Sequence, residues 1–494
     1  MSDSKNILLF GMFLRNILTM KTIISTLVSF LLLQVSFAQT NVSGGIFSNT
    51  TWTLANSPYL VTNNIVVFPG VTLTIEPGVE VRIKENGLSG TQYYIEARGT
   101  INMVGQPGAK ITFRADSATN TIGTWVGIVV KNSQGGAVNY NYVNMSNAIK
   151  CFEYDAGIPG LIQLNESDFR YNSYAIVVGT EFIAENCSFY GNENAVYGWS
   201  IFTFNNCIFD SNLVALSLYV SRIDIDNCSF TNNFTGLTLN SSALNGILVK
   251  NTIFNNNAVA FDNANSGTID SCTFTNNIEA IKNTNYLEVK NSGFSNNGTA
   301  LQIGFGTTVR DCEIEQNNIG IALQALSFGQ PSPVVENNRI CYNQAYNIDN
   351  RTDLNLFIPT NCFCSTDSSE VEDKIFDGYD DIAKGLISYA IFDTNCITVL
   401  NLVQKIGMPT SIVESENSAV TKVFPNPFID NLIIKNLNSY SSYEILSLQG
   451  QLIQNGTIIE GENSIDVSKI TTGTYSLGLH NADRKSEFIR VFHN

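Results

Sequence analysis

The chain has 494 residues, of which 14% are charged, and its formal net charge is −16. A surface this acidic repels nucleic acid and anionic membranes, so nucleic-acid binding is excluded as a function class. The length would accommodate about three ordinary domains, but a repetitive architecture lengthens without needing a second globular core.

The N-terminus has the features of an export signal. Lys21 precedes an apolar run, Thr22–Leu33, and small residues follow it, which predicts a signal peptide over residues 1–38. A second apolar run, Ile7–Leu14, lies upstream and is explained if translation starts at Met20. The alternative is one longer anchor, but neither run reaches the ~20 residues that span a bilayer. We therefore expect no transmembrane segment in the mature chain.

One phrase recurs nine times between Asp168 and Asn347: a small residue, any residue, Phe or Ile, two more residues, then Asn. The aromatic or Ile position is occupied by Phe169, Phe189, Phe209, Phe230, Phe254, Phe274, Phe294, Ile314 and Ile340. The Asn follows three residues later, at Asn172, Asn192, Asn212, Asn233, Asn257, Asn277, Asn297, Asn317 and Asn343. The spacings are 20, 20, 21, 24, 20, 20, 20 and 26 residues, and a period of about 20 indicates a solenoid.

The pattern inside each unit predicts strands. Between Ile223 and Phe230 apolar and polar residues alternate, with a break at Asn227. Asn tolerates the left-handed conformation that a tight corner needs. Coils stacked at ~4.8 Å would form a column of Phe, a column of small residues two positions earlier, and two columns of Asn that can hydrogen-bond along the stack.

These repeats resemble the right-handed parallel β-helix of pectin-lyase-like proteins, over residues 44–398. The segments Trp52–Leu54, Gly70–Val79 and Gly123–Ile128 are similar to the first coils of bacterial surface β-helices. The stretch from Cys364 to Asp381 is similar to the segment that closes such solenoids, although the usual Trp-Gly before it is absent. The resemblance implies an all-β fold and a role in carbohydrate binding or cleavage.

A polar linker over residues 399–421 leads to a C-terminal block, 422–494, in which alternating strands and Gly turns predict a small β-sandwich, which we expect to be Ig-like. Three ordered motifs resemble the type A C-terminal sorting domain of the type IX secretion system of Bacteroidota. Their residues are Pro425, Asn426, Pro427, Gly450, Gly473 and Tyr475. The resemblance implies passage through the periplasm to the type IX machinery, followed by secretion or attachment at the outer cell surface.

Nine of the ten cysteines fall into two groups. Five of them share the small inward position of the repeat with Ser167, Thr252 and Ser292, so we expect packed thiols rather than disulfides: Cys187, Cys207, Cys228, Cys272 and Cys312. Four more lie off that column near the closing segment, and the sequence leaves open whether they form one disulfide or none, and with which connectivity: Cys341, Cys362, Cys364 and Cys396. A metal clip at Cys362 and Cys364 is disfavoured, since no second paired motif or nearby His accompanies it.

Histidine restricts the chemistry. The chain has two, His480 and His493, both in the predicted sorting domain. A Ser-His-Asp triad and a His-ligated zinc site are thereby excluded from the solenoid, and the Gly-His-Gly motif of polygalacturonase-type hydrolases is missing.

Charged residues at one outward repeat position predict a surface ladder: Asp226, Lys250, Asp270, Lys290 and Arg310. The alternative is a lyase site with Asp224, Asp226 and Lys250 as catalytic candidates.

An acidic cluster near the closing segment could bind calcium through oxygen ligands: Glu370, Glu372, Asp373, Asp377, Asp380 and Asp381. It lacks the Asp-x-Asp-x-Asp-Gly loop spacing, so we favour a solvated cap with Val371, Ile375, Phe376 and Ile382 turned inward. We therefore predict no metal and no cofactor, with calcium as the alternative.

Four aromatic residues outside the core are candidates for stacking on sugar rings: Tyr197, Trp199, Tyr219 and Tyr286. They could equally fill loops. Together these features predict a secreted or cell-surface β-helix with a non-catalytic role in glycan binding, adhesion or surface structure. The alternative is a polysaccharide lyase or glycoside hydrolase that acts in a lateral groove. The expected partners are the type IX machinery and a polysaccharide or cell-surface glycan.

Overall fold

The computed structural model describes residues 39–389 apart from 86–91, 118–119, 155–160, 240–245, 263–264 and 325–328. It also describes residues 422–493 apart from 425–429, 437–439, 448–451, 472 and 481–485. The predicted signal peptide and the whole of the predicted linker lie outside these ranges. No helix within them has the length and apolar character that a bilayer crossing requires.

The first part of the chain is a parallel β-solenoid with three faces, which confirms the all-β fold expected from the repeats. Its strands pair in parallel from Thr40 to Ser388. Each regular coil crosses a first, a second and a third face in turn, and like residues of successive coils stand in register.

The first face carries the repeated Phe. Its strands are β1 (Thr40–Ile46), β3 (Tyr59–Val67), β5 (Glu80–Ile83), β8 (Ile111–Ala115), β11 (Val143–Ser146), β14 (Asp168–Arg170), β17 (Ser188–Tyr190), β19 (Ile208–Asp210), β21 (Ser229–Thr231), β24 (Ile253–Asn255), β27 (Thr273–Thr275), β29 (Gly293–Ser295), β32 (Glu313–Glu315) and β35 (Arg339–Cys341). β1 and β3 continue onto the second face.

The second face follows the corner after the Phe. Its strands are β6 (Tyr94–Ala97), β9 (Gly127–Val130), β12 (Phe152–Tyr154), β15 (Tyr174–Val178), β22 (Thr235–Leu239), β25 (Val259–Asp262), β30 (Thr299–Ile303), β33 (Ile319–Leu323), β36 (Tyr346–Asp349) and β38 (Ile375–Phe376). Three long strands run from this face onto the third: β18 (Asn194–Asn205), β20 (Val214–Asp226) and β28 (Glu279–Lys290).

The third face completes each coil. Its strands are β2 (Thr50–Trp52), β4 (Thr72–Ile75), β7 (Thr100–Val104), β10 (Ala137–Asn141), β13 (Ile162–Asn165), β16 (Phe182–Glu185), β23 (Ile247–Lys250), β26 (Asn265–Asp270), β31 (Thr308–Arg310) and β34 (Val334–Glu336). Strands β37 (Leu356–Phe357) and β39 (Ile387–Ser388) pair near the end, and short 3₁₀ turns occur at Leu54–Asn56 and Asn132–Gln134.

The predicted Phe column fills the interior. From Phe189 to Phe294 the rings of neighbouring coils are nearly parallel, with centroids 4.6 to 4.9 Å apart. These rings are at most 1% exposed. The strand spacing of the sheet fixes this distance, so each coil supplies one ring to a continuous stack.

Asparagine forms the two predicted columns, and they have different tasks. The repeat Asn is buried: the Nδ2 group of Asn233 donates to Oδ1 of Asn257 (3.0 Å) and to the Phe209 carbonyl (2.9 Å). The left-handed residues are others, such as Asn227 (φ 53°) and Asn232 (φ 56°). One Asn position of the repeat therefore forms the tight corners, and another makes the hydrogen bonds inside the core.

The inward cysteines are packed thiols, as predicted. All five are buried and unbonded, and the Cys228 thiol donates to the Asp226 carbonyl (3.3 Å). Burial raises the pKa of Cys272 and of Cys312 to about 12. These thiols therefore stay protonated at neutral pH.

The closing segment holds a disulfide between Cys341 and Cys364, and Cys362 is disulfide-bonded as well. Cys396, the fourth cysteine of this group, lies outside the described residues. Helix α1 (Ser368–Glu372) follows, and Asp367 caps it by accepting from the Ser369 amide.

The acidic cluster lies in the segment that closes the solenoid. The buried Asp377 carboxylate accepts from the amides of Tyr379 (2.8 Å) and Ile387 (2.7 Å). Val371 and Ile375 are each 1% exposed, as expected, but the inward position predicted for Ile382 is wrong, since that side chain is 98% exposed. Ile382 lies in a turn, where no strand pairing directs its side chain toward the core.

The C-terminal part forms two antiparallel sheets. One contains β40 (Lys422–Phe424), β41 (Asn431–Asn436) and β44 (Gly461–Asp466); the other contains β42 (Ser442–Ser447), β43 (Leu452–Thr457), β45 (Gly473–His480) and β46 (Ser486–His493). Apolar residues of both sheets share one core, including Leu432, Ile465, Ile445 and Leu477. Small β-sheets are therefore present as expected, while the Ig-like topology stays a prediction.

Candidate functional site

The bend between the second and third faces, which we call the variable edge, takes up the irregular spacings of the repeat. The 21-residue spacing arises where β18 and β20 slip by one residue, since Ser200 pairs with Val220 but Ile201 pairs with Arg222. The spacings of 24 and 26 residues arise between β22 and β23 and between β33 and β34. In solenoids, insertions that collect on one side often mark the binding side.

Three of the predicted aromatic residues meet at this edge and form what we call the Trp199 platform: Tyr197, Trp199 and Tyr219. Trp199 on β18 stands in register with Tyr219 on β20, and these side chains are 52% and 45% exposed. The Tyr197 ring lies edge-to-face with both, with centroids 6.4 Å and 6.3 Å away. The structure thus brings together a cluster of large, partly exposed rings.

A glycine in the preceding coil makes room for the indole. A Cβ placed on Gly179 would lie 2.7 Å from the Trp199 ring, so any side chain there would collide with it. Trp199 therefore lies along the surface against the backbone and presents its other side to solvent. Sequence reasoning missed Gly179, because its relation to Trp199 depends on the coil register.

Tyr286 lies apart from the Trp199 platform but on the same edge. Its side chain is 46% exposed, and its ring covers Gly306 of the next coil, where a Cβ would approach to 2.4 Å. The ring also contacts Phe305 edge-to-face at 5.2 Å, and its hydroxyl donates to Oε1 of Gln330 (2.5 Å). The backbone φ of 53° places Tyr286 in the left-handed region, which is unusual for a bulky residue.

The predicted charge ladder is present on the third face. Asp226, Lys250, Asp270, Lys290 and Arg310 follow one another in register. Lys250 Nζ lies 3.2 Å from Asp226, and Arg310 lies 2.6 Å from Glu288. The hydrogen bond from Arg310 lowers the pKa of Glu288. Neighbouring coils are therefore linked by ion pairs along the outside of the solenoid.

The three catalytic candidates are part of this ladder or lie beside it. Asp226 is paired with Lys250 and also accepts from the Asn251 amide (2.9 Å). Asp224 lies on the same side of β20, 3.8 Å from Arg222, and faces Leu248 in the next coil. The structure brings the candidates together, but as paired surface charges whose partners are other side chains.

A polar groove of about 390 Å³ lies at the far edge of the third face. Its lining residues are Glu185, Asn186, Asn205, Asn206 and Asp226. Glu185, Asn205 and Asp226 stand in register on three successive coils, while Asn186 and Asn206 are left-handed corner residues. Carboxylate and amide groups of this kind can hydrogen-bond to a hydroxyl-rich ligand.

Metal binding by the closing cysteines has little support. The sulfur atoms of Cys341, Cys362 and Cys364 lie within 4.8 Å of one another. All three cysteines are disulfide-bonded, Cys341 to Cys364, so their sulfurs are not thiolate ligands.

Comparisons with known families agree with this architecture. Residues 194–340 match the family described as right handed beta helix region, and residues 422–490 match the family described as secretion system C-terminal sorting domain. No curated protein matches the chain. The protein is a right-handed parallel β-helix that carries a type IX sorting domain, and this domain marks it for export to the cell surface or for secretion. Of the sorting motif, Gly473 and the buried Tyr475 lie in β45, whereas Pro425, Asn426, Pro427 and Gly450 lie outside the described residues.

Proposed function

We propose that the protein is a non-catalytic glycan-binding protein of the outer surface of a Bacteroidota cell, and that the Trp199 platform makes the principal contact. The supporting observation is that Trp199 and Tyr219, both about half exposed, are gathered with the partly buried Tyr197 at the edge where the repeat varies in length. Aromatic rings offer large, rigid contact area at low entropic cost, and the polar groove can hydrogen-bond to sugar hydroxyls.

We further propose that the chain is divided into a signal peptide (residues 1–38), the β-helix (44–398), a linker (399–421) and the sorting domain (422–494).

The test is a panel of neutral and acidic polysaccharides, assayed with the purified protein for binding and for cleavage. Binding to a neutral member should weaken about tenfold or more in Trp199→Ala, because anchor aromatics dominate such contacts. Tyr342→Asn is the matched control, since Tyr342 is 64% exposed but lies at a corner that follows the first face, and Asn accepts the left-handed backbone there. Absence of binding to every member, or equal weakening in both variants, contradicts the proposal.

The second candidate function is a polysaccharide lyase or glycoside hydrolase, which the 3.2 Å approach of Lys250 to Asp226 motivates. We expect the protein neither to release reducing ends nor to generate the ultraviolet absorbance of unsaturated uronates from pectin or alginate. Turnover abolished by Asp224→Ala, Asp226→Ala or Lys250→Ala would establish the enzyme instead. Turnover that survives all three changes would also defeat the non-catalytic proposal and would place the active site elsewhere.

A further inference from the structure

The same arrangement occurs twice on the variable edge. Trp199 lies over Gly179 and Tyr286 lies over Gly306, in each case with too little space for a Cβ on the glycine. Both rings are about half exposed, at 52% and 46%. Each glycine lets a ring lie along the surface with one side toward the backbone and the other toward solvent.

The two rings are separated by a fixed number of coils. Register pairs connect the strand of Trp199 to that of Tyr286 in four steps, from Thr203 to Asp224, Leu248, Thr268 and Glu288. Four steps of ~4.8 Å put the two backbone positions about 19 Å apart along the solenoid axis. The rings lean away from each other, Trp199 over the coil before its own and Tyr286 over the coil after its own, so the rings are further apart, by up to two more coils or ~29 Å in all. Because a unit of a β-1,4-linked pyranose chain is about as long as one coil is tall, a chain of about six sugars would reach from one ring to the other.

The charges near the Trp199 platform favour an uncharged ligand. Glu181 and Arg222 are exposed beside it, and Asp224 follows on the third face. Carboxylates outnumber cations in this set, so a polyanionic chain would be repelled. A neutral chain could use the same carboxylates as hydrogen-bond acceptors.

We propose that the Trp199 platform and Tyr286 are two ends of one extended site for a neutral β-1,4-linked glycan that lies along the solenoid axis. This inference rests on the proposed function and adds the direction, the length and the charge class of the ligand. A chain that reaches both rings binds the second one intramolecularly, so its affinity exceeds that of a shorter chain held by one ring.

A third ring over a glycine supplies the control. Tyr171 covers Gly191 in the same way, with φ of 55°, but it lies at the corner after the first face. If such rings only cover glycine backbone, changes at Tyr171, Trp199 and Tyr286 should have the same effect on glycan binding and on stability. If the variable edge binds glycan, Trp199 and Tyr286 should differ from Tyr171 in binding while resembling it in their effect on stability.

The experiment uses the purified protein and β-1,4-linked oligomers of glucose and of N-acetylglucosamine with two to six units, measured by titration calorimetry. For at least one series we expect the affinity to rise about tenfold or more between three and six units. Tyr286→Asn should remove this gain while leaving binding of short oligomers unchanged, and Trp199→Ala should weaken binding at every length. Asn is chosen at 286 because it accepts the left-handed backbone. Tyr171→Asn should leave the binding curve unchanged.

The outcomes separate the two proposals. If short and long oligomers bind equally and Tyr286→Asn has no effect, the extended site is refuted while glycan binding at Trp199 stands. If neither series binds but another polysaccharide of the panel does, the ligand class proposed here is wrong and the proposed function survives. If no glycan binds, both fail. Thermal unfolding of each variant shows whether a loss of binding reflects a loss of fold, and Tyr286→Phe, which keeps the ring, should restore the dependence on length.

Discussion

The interior of the solenoid and its variable edge are made from the same repeat under different constraints. Inside, Phe209 stacks on Phe230 and Phe230 on Phe254 at 4.6 and 4.8 Å, so a change in one coil disturbs its neighbours. At the edge, β18 and β20 slip by one residue without disturbing the pairs on either side of the slip. The difference shows that uniform columns preserve the fold while the edge is free to acquire a site.

The largest expected effect separates the solenoid from the sorting domain. Removal of residues 423–494 should leave the solenoid folded but hold it in the periplasm, because the predicted signal peptide still acts while the translocon signal is gone. Immunoblots of culture medium, outer membrane and periplasm, with a periplasmic marker as control, check this. Equal amounts of truncated and full-length protein outside the cell would contradict it.

Phe230→Ala should be the most damaging single change in the columns. The ring is fully buried between two others, and its removal should cost ~3–5 kcal/mol of unfolding free energy by leaving a cavity. Denaturant unfolding of the purified protein measures this, with an exposed Ser→Ala change as control. A midpoint no different from that of the control would show that the column does not carry stability.

Asn233→Ala should cost less, ~1–3 kcal/mol, because it leaves the buried Asn212 backbone amide without its acceptor and removes the hydrogen bond to the Phe209 carbonyl. Asn232→Ala tests the other column, since it strains a left-handed corner and removes only partly buried hydrogen bonds, to Asp210 and from Asn256. Unfolding midpoints of the two variants should rank with Asn233→Ala lower. The reverse ranking would show that corner geometry matters more than the buried ladder.

The thiol column predicts a dependence on pH. The pKa of Cys272 in the folded protein is about 12, above the ordinary value of ~8.5, so above pH ~8.5 the unfolded chain gives up this proton more readily than the folded one. The free energy of unfolding should therefore fall as the pH rises from about 8.5 toward 12. Cys272→Ser should lessen the loss, as measured by unfolding midpoints at pH 8 and 10, and a change of the opposite sign would refute the burial argument.

The smallest expected effect is at the ladder. Lys250→Ala should change the unfolding free energy by less than ~1 kcal/mol, because exposed ion pairs gain little in water. The change should shrink further at high salt. A loss as large as that of Asn233→Ala would mean that Lys250 has a role beyond the ladder.

Much of the fold could be predicted from residue spacing. The period of Phe169, Phe189 and Phe209 predicts a solenoid. Cys228 and Thr252 occupy the same repeat position in successive coils, which indicates a column of packed side chains rather than a set of disulfides. Ile382 could not be placed in this way, because it lies outside the repeat and nothing in its local pattern reports its exposure.

The sequence by itself determined the solenoid, its inward columns and the sorting domain, because each depends on a periodicity or on motifs of contiguous residues. Only the tertiary structure decided which outward residues meet. Trp199 reaches Tyr219 and Gly179, while Tyr286 reaches Gly306, because parallel strands bring residues about 20 positions apart into register. One-residue slips and insertions at the variable edge change that register. The spacing of the repeat shows that a coil is longer, but only the strand pairing shows where in the coil the extra residues lie.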